Sequence, residues 1–322
     1  MTTAGKLTLA DVERARERVA SYVRTTPLVH SRPLSEAAGC AVHLKLENRQ
    51  LTGSFKPRGA LNKILSLDSA ALDRGLVAAS AGNHALGVAH ACEALGLTNA
   101  DLFVQRNAAP AKIAKLRRYP LRLHLEGDTF EAAQQAAFRR VHETGATFVS
   151  AYDDPAVVAG QGTVGLEILE DLPDPDVVVV PVGGGALSAG IALAIRSRRP
   201  GTRVVGVNPA ASPSALLSFR KGEAIDPYDH EPTLAHGLAG GYGRVAYDVA
   251  RDLLEGIVLV SEDEMKRGIP ALIDAEQELA EASGIVALAA VLSGKVARLE
   301  GNVVVVISGG NIDSATLREV LQ

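Results

Sequence analysis

Short apolar runs separated by longer amphipathic stretches dominate the chain. The runs at 177–182 and 303–307 are apolar at nearly every position, which suits strands buried on both faces. Further β-branched or apolar runs lie at 42–47, 76–79, 102–105, 121–125, 147–151, 203–207 and 257–260. Helical spacing of apolar residues falls between most of them, at 83–95, 129–143, 155–170, 187–198 and 284–298. A first helix is expected from Thr8, with Asp11 three residues on as a capping-box variant, through charged helix formers to Val23. Strand–helix alternation of this kind predicts an α/β protein of mostly parallel sheet flanked by helices. Nine strands are many for one small sheet, so two sheets are expected, with ligands where strands end and helices begin.

Size and composition narrow the class. At 322 residues, 47% hydrophobic and 22% charged, the chain calls for one large α/β unit or two interleaved domains. A formal net charge of −4, with no block of Lys or Arg, gives no electrostatic reason to bind nucleic acid or a membrane surface. The N-terminus becomes a charged amphipathic stretch rather than a signal-like apolar segment, and the apolar runs are too short to span a bilayer. Cys40 and Cys92 read as two reduced thiols of a cytoplasmic protein. His30, His43, His90, His124, His142 and His230 show no metal-binding spacing.

Four loops at strand ends carry chemistry. In LTGSFKPRGA, a Gly-Ser-Phe run enters a helix and sets Lys56 near its positive end, where a partly desolvated amine loses its proton more easily. A neutral lysine amine is what Schiff-base chemistry with an aldehyde requires, although one lysine alone is indistinguishable from a surface lysine. In SAGNH, Ser80, Asn83 and His84 open a helix whose N–H groups suit a carboxylate, or else simply cap it. In PVGGGAL, Gly183, Gly184 and Gly185 let the backbone close on an anion at a helix start, with Ala186 and Leu187 following. A dinucleotide site is disfavoured there, because the sixth-position glycine is Ser188 and the next strand ends at Asn208 rather than at an acid. In SGGN, Ser308 offers a neutral hydroxyl to a ring nitrogen, and two glycines leave room for a flat ligand. A lysine, a carboxylate receptor, a phosphate turn and a neutral pyridine partner together match the needs of pyridoxal 5′-phosphate (PLP).

The same motifs, in this order and spacing, resemble the threonine/serine dehydratase and serine racemase family of fold-type II PLP enzymes. The likeness runs from about Thr26 through LKLENRQLTGSFKPRGA, SAGNHALGVA, AGQGTVGLEI, PVGGGALSAG and EASGIVALAA to SGGN, nearly the whole chain. It implies a two-domain, tryptophan synthase β-like fold: a large PLP-binding domain of residues 1–68 and 150–322, and a small inserted domain of residues 69–149. It also implies that Lys56 carries the coenzyme and moves the α-proton, that Phe55 lies against the ring, and that Asn83 bonds the ring hydroxyl. Ser80, Asn83 and His84 would hold the substrate carboxylate, Gly183 to Leu187 the phosphate, and Ser308 the pyridine nitrogen. Glu281 matches a family acid near the cofactor. The implied activity is dehydration and deamination of a β-hydroxy amino acid such as L-threonine or L-serine to a 2-oxo acid and ammonia, in a homodimer.

Departures from the family pattern sharpen the expectation. Racemases of the family carry a second serine where this chain has Ala81, so a dehydratase is expected over a racemase. Relatives that bind a divalent cation use carboxylates after the strand ending at Val207, whereas residues 208–214 hold none, so no metal is expected. His236 stands where relatives usually have aspartate near the substrate entrance. That leaves threonine, serine, a bulkier 3-hydroxy amino acid and a hydroxylated diamino acid derivative open as substrates. Lys56-Pro57-Arg58 differs from the Lys-Asp-Arg of β-replacement and γ-chemistry relatives. Only residues 312–322 follow the fourth loop, too few for the regulatory domain of feedback-controlled threonine deaminases, so a catabolic role is expected.

Overall fold

A computed structural model describes residues 7–322; the first six residues of the N-terminal segment read above lie outside it. Among the described residues, ten strands make two sheets. They are β1 (Leu28–Ser31), β2 (Ala41–Leu46), β3 (Leu76–Ala79), β4 (Ala100–Val104), β5 (Arg122–Leu125), β6 (Thr147–Phe148), β7 (Val177–Pro181), β8 (Arg203–Pro209), β9 (Gly256–Val260) and β10 (Asn302–Ile307). The larger sheet has the order β1-β2-β10-β7-β8-β9 and the smaller β5-β4-β3-β6. Every pairing is parallel except β1–β2. Central β7 is buried at each position and β10 at all but its first, as expected for parallel strands covered by helices on both faces.

Three expected elements end several residues early, each for a local reason. The first helix spans Leu9–Val19, its Asp11 carboxylate taking the Thr8 N–H and hydroxyl at 2.8 and 2.7 Å. It stops short of Val23 because the Arg24 N–H and C=O are both held by the Gln50 side chain, at 2.9 and 2.8 Å. The strand expected at 147–151 ends at Phe148, because the Ser150 hydroxyl accepts the N–H groups of Tyr152 and Asp153 and turns the chain. The helix expected at 284–298 is Ala282–Leu292, closed by Ser293 bonding back to the Ala289 carbonyl and by Gly294 at φ +67°. Short antiparallel β1 has no apolar run of its own and exists through its register with β2, Leu28 facing Lys45 and Ser31 facing Val42.

The Lys56–Leu65 helix joins the two sheets. Its Ala60, Leu61 and Ile64 belong to the core of the smaller sheet. Its other side meets the Pro155–Asp171 helix so closely that a Cβ on Gly160 would lie 2.6 Å from the Arg58 carbonyl oxygen. Beneath this crossing Arg58 is fully buried and forked onto two carboxylates. Nε and Nη2 donate to Glu47 at 2.9 and 2.8 Å, and Nη1 and Nη2 to Glu167 at 2.6 and 2.9 Å. Lys45 completes the set, its Nζ 2.8 Å from Glu167 Oε2 and donating to the Thr26 carbonyl at 2.6 Å. Two buried cations therefore face two buried carboxylates. Removing the central cation strands the carboxylates, a change that costs about 3–5 kcal/mol in such sites. Arg58→Leu should thus lose about 3–5 kcal/mol in urea denaturation; a loss below about 1 kcal/mol would contradict the network's anchoring role.

Candidate active site

The four loops converge at the C-terminal ends of β2, β3, β7 and β10. Lys56 is the first residue of its helix, with Phe55 at the N-cap. Its Nζ donates to the Ala151 carbonyl at 2.9 Å and lies 5.1 Å from the centre of the Phe55 ring. Burial brings the amine down to about pKa 8, because its partner is a neutral carbonyl rather than a carboxylate. The loop before it is held to the fourth loop by a Ser54–Gly309 bridge, by Phe55 N–H to the Ser308 carbonyl (3.2 Å), and by Gly310 N–H to the Gly53 carbonyl (2.9 Å). Gly53 sits at φ +75°, a conformation that favours glycine.

Asn83 opens the Asn83–Ala94 helix. Its amide nitrogen donates to Glu281 Oε1 at 2.5 Å and its oxygen accepts the Asn311 amide at 2.8 Å. The Asn311 amide also reaches the Thr52 carbonyl, and its oxygen accepts Lys115 Nζ at 2.8 Å. Ser80 Oγ accepts the Gly82 N–H at 3.1 Å. The His84 ring is buried and donates from Nε2 to the Val149 carbonyl at 2.9 Å. Burial, with the nearby Lys56 amine, pushes its pKa down to about 3, so the ring is neutral. With that ring N–H committed, the group of His84 left for a carboxylate is its main-chain N–H at the start of the helix.

The glycine turn is packed from behind. Gly185 caps the Ala186–Arg198 helix at φ +93°, and a Cβ there would strike the Tyr242 ring. A Cβ on Gly184 would strike the Tyr152 ring, and one on Gly183 would come 2.7 Å from Leu238 Cα. Ala186 and Leu187 are both buried in the first turn, whose N–H groups have no partner within the helix. Ser308, at the end of β10, is nearly buried and donates a long 3.4 Å bond to the Ser283 carbonyl. His236 is exposed, one residue before Gly237, whose N–H donates to Ser283 Oγ at 2.8 Å. Partial desolvation, then Lys112, lowers its pKa from the ordinary histidine value.

Sequence reasoning singled out the lysine, the asparagine, the glycine turn and Ser308, and the structure sets them on loops at neighbouring strand ends. It assigned no role to the Ala151 carbonyl, to Asn311, or to Tyr152, whose hydroxyl donates to Asp226 at 2.9 Å. A main-chain carbonyl has no signature in sequence, but Asn311 ends the SGGN motif and was within reach.

The site suits PLP. Beside a readily neutralised amine and an anion-binding helix start, the hydroxyls of Thr52 and Ser54 are buried without a protein partner, an arrangement that calls for polar groups from a ligand or water. Comparison with known proteins agrees. A family model described as pyridoxal-phosphate dependent enzyme matches residues 19–309. The L-threonine ammonia-lyase of Geobacter sulfurreducens is 43% identical over 312 residues, 97% of this chain and 77% of that protein. The catabolic L-threonine dehydratase of Escherichia coli K12 is 42% identical over 313 residues, covering 96% and 94%. Among solved structures, maize serine racemase superposes with a TM-score of 0.92 at 30% identity, covering 98% of this chain and 97% of that one.

The lowered lysine pKa is directly measurable. In protein stripped of coenzyme, the rate at which an acylating reagent modifies Lys56, followed by peptide mass spectrometry, should rise with pH to a midpoint of about 8. A midpoint at the ordinary 10.5 would contradict the burial argument.

Proposed function

The chain belongs to the pyridoxal-phosphate-dependent enzyme family, and from that premise we propose that it eliminates water from a β-hydroxy amino acid such as L-threonine or L-serine, releasing a 2-oxo acid and ammonia. It is a PLP-dependent ammonia-lyase. The observation that carries the reading is the buried Lys56 amine, bonded to a carbonyl and poised near pKa 8, among the four loops.

When bound, PLP supplies a conjugated, electron-withdrawing ring that stabilises the electron pair left as the α-proton departs. Lys56 carries the coenzyme and takes that proton, which its amine can do because burial lowers its pKa to about 8 and makes the neutral form readily accessible. The start of the Asn83–Ala94 helix, with Ser80, Asn83 and the His84 N–H, binds the substrate carboxylate and fixes the α-carbon relative to Lys56. Asn83 would also bond the ring hydroxyl. Gly183, Gly184, Gly185, Ala186 and Leu187 would hold the phosphate at a helix start, and Phe55 would lie against the ring. Ser308 would offer the pyridine nitrogen a hydroxyl, which would not favour a charged ring as a carboxylate would. A weaker electron sink favours prompt loss of a β-leaving group.

Ala81 supports elimination over racemisation, since a methyl group can neither donate nor accept a proton. Asn208 is spent on the Val182 carbonyl (2.7 Å) and the Leu216 N–H (3.3 Å), and no carboxylate follows it through residue 214, so no divalent cation is proposed there. His236, exposed beside the Ser283–Gly237 contact, is proposed to border the substrate side chain. We further propose a cytoplasmic homodimer; both cysteines are free, which fits a reducing compartment. No helix among the described residues is long and apolar enough to cross a membrane.

A panel of β-hydroxy amino acids tests the reading: the holoenzyme should form 2-oxo acid and ammonia in equal amounts from L-threonine or L-serine without an added nucleophile. Lys56→Ala should lower kcat/KM by about 10³-fold or more. D-amino acid accumulating faster than oxo acid would overturn the assignment. In the same assay Ala81→Ser should raise D-product formation by about tenfold or more, because it supplies a proton carrier on the second face; unchanged stereochemistry would contradict the role given to residue 81.

A further inference from the structure

The two ends of a side-chain amide share one shape but play opposite roles, so the orientation of Asn83 is fixed by the chemistry of its partners. A chain of single-role groups does this. Lys115 Nζ can only donate, and the Asn311 oxygen faces it at 2.8 Å. The Asn311 nitrogen therefore points the other way. It donates to the Thr52 carbonyl and to Asn83 Oδ1, each at 2.8 Å. The same amide is pressed against Gly53, where a Cβ would lie 3.0 Å from its oxygen. With its own oxygen held, Asn83 turns its nitrogen to Glu281, which accepts one N–H. The other N–H of Asn83 has no partner among the described residues. It lies near Lys56: a Cβ on Gly87, one turn later on the same helix face, would come 3.1 Å from Lys56 Cβ. In PLP the ring hydroxyl is on the carbon next to the one bearing the aldehyde, so a coenzyme held on Lys56 brings that oxygen beside the linking nitrogen.

We propose that Asn311 is a positioning residue for the coenzyme: its amide holds the Asn83 oxygen aside, so that the free N–H of Asn83 is presented to the ring oxygen next to Lys56. The proposal rests on the PLP reading above and concerns how the coenzyme is held, not the elimination step. Asn311 acts only through Asn83. A ring oxygen that has lost its proton is negatively charged, and an N–H given to a charged oxygen makes a stronger bond than one given to a neutral group. An Asn83 amide turned the other way would set its own oxygen against that charge.

The test titrates coenzyme-free wild type, Asn311→Asp, Asn311→Ala, Asn83→Ala and the Asn83→Ala/Asn311→Ala double variant with PLP, followed by absorbance. Asn311→Asp keeps the shape and the Lys115 contact but puts an acceptor where the donor was, so it should weaken PLP binding by about tenfold or more. Asn311→Ala should weaken binding by about fivefold or more when Asn83 is present, and by less than about twofold when residue 83 is already alanine. The visible band of bound PLP, which belongs to the deprotonated ring oxygen, should lose intensity to a near-ultraviolet band in Asn311→Asp as it does in Asn83→Ala. The alanine cycle carries the test by itself where the aspartate repels its neighbours enough to unfold the loop. Wild-type affinity and spectrum in Asn311→Asp would overturn the proposal. So would equal losses from Asn311→Ala in both backgrounds, which mark a structural role independent of Asn83. If the wild type itself develops no visible band with PLP, the PLP reading fails and takes this proposal with it.

Discussion

Within one helical turn the protein buries two cations and treats them oppositely. Lys56 is given a carbonyl, so desolvation is left uncompensated and the amine becomes easy to deprotonate. Arg58, two residues on, is given two carboxylates, so its charge is held firmly and its guanidinium ties the helix to Glu47, just past β2, and to Glu167 of the Pro155–Asp171 helix. In the role proposed for Lys56, an amine that meets an aldehyde and then a substrate α-carbon needs a fixed starting point, and the arginine fork two residues on would supply it.

The rest of the site follows from parallel-sheet geometry. Strands ending side by side deliver their loops to one edge, and each following helix begins with free N–H groups aimed there. The glycine turn and the start of the Asn83 helix are two such beginnings, suited to a phosphate and a carboxylate respectively. Contacts between the loops, Ser54 with Gly309 and Asn83 with Asn311 and Glu281, knit elements of both sheets into one wall.

Much of this was legible in the residues, because buried parallel strands write apolar runs and tight strand–helix turns write glycines. The 76–79 strand was located to the residue. What stayed hidden depends on distant partners. β1 exists through β2, and the early ends of the first helix and of β6 depend on the side chains of Gln50 and Ser150. In the site, the motif residues were readable but the hydrogen bonds that tune them were not. Val149 and Ala151 act through main-chain carbonyls, and the commitment of the His84 ring to Val149 is a tertiary fact.

The central claim is that Lys56 is the amine that holds the coenzyme. Borohydride reduction of the holoenzyme, followed by proteolysis and mass spectrometry, tests it most directly by making that linkage permanent. The account predicts a pyridoxyl phosphate adduct on the peptide containing Lys56 and on no other lysine. An adduct elsewhere, or none at all, would contradict it.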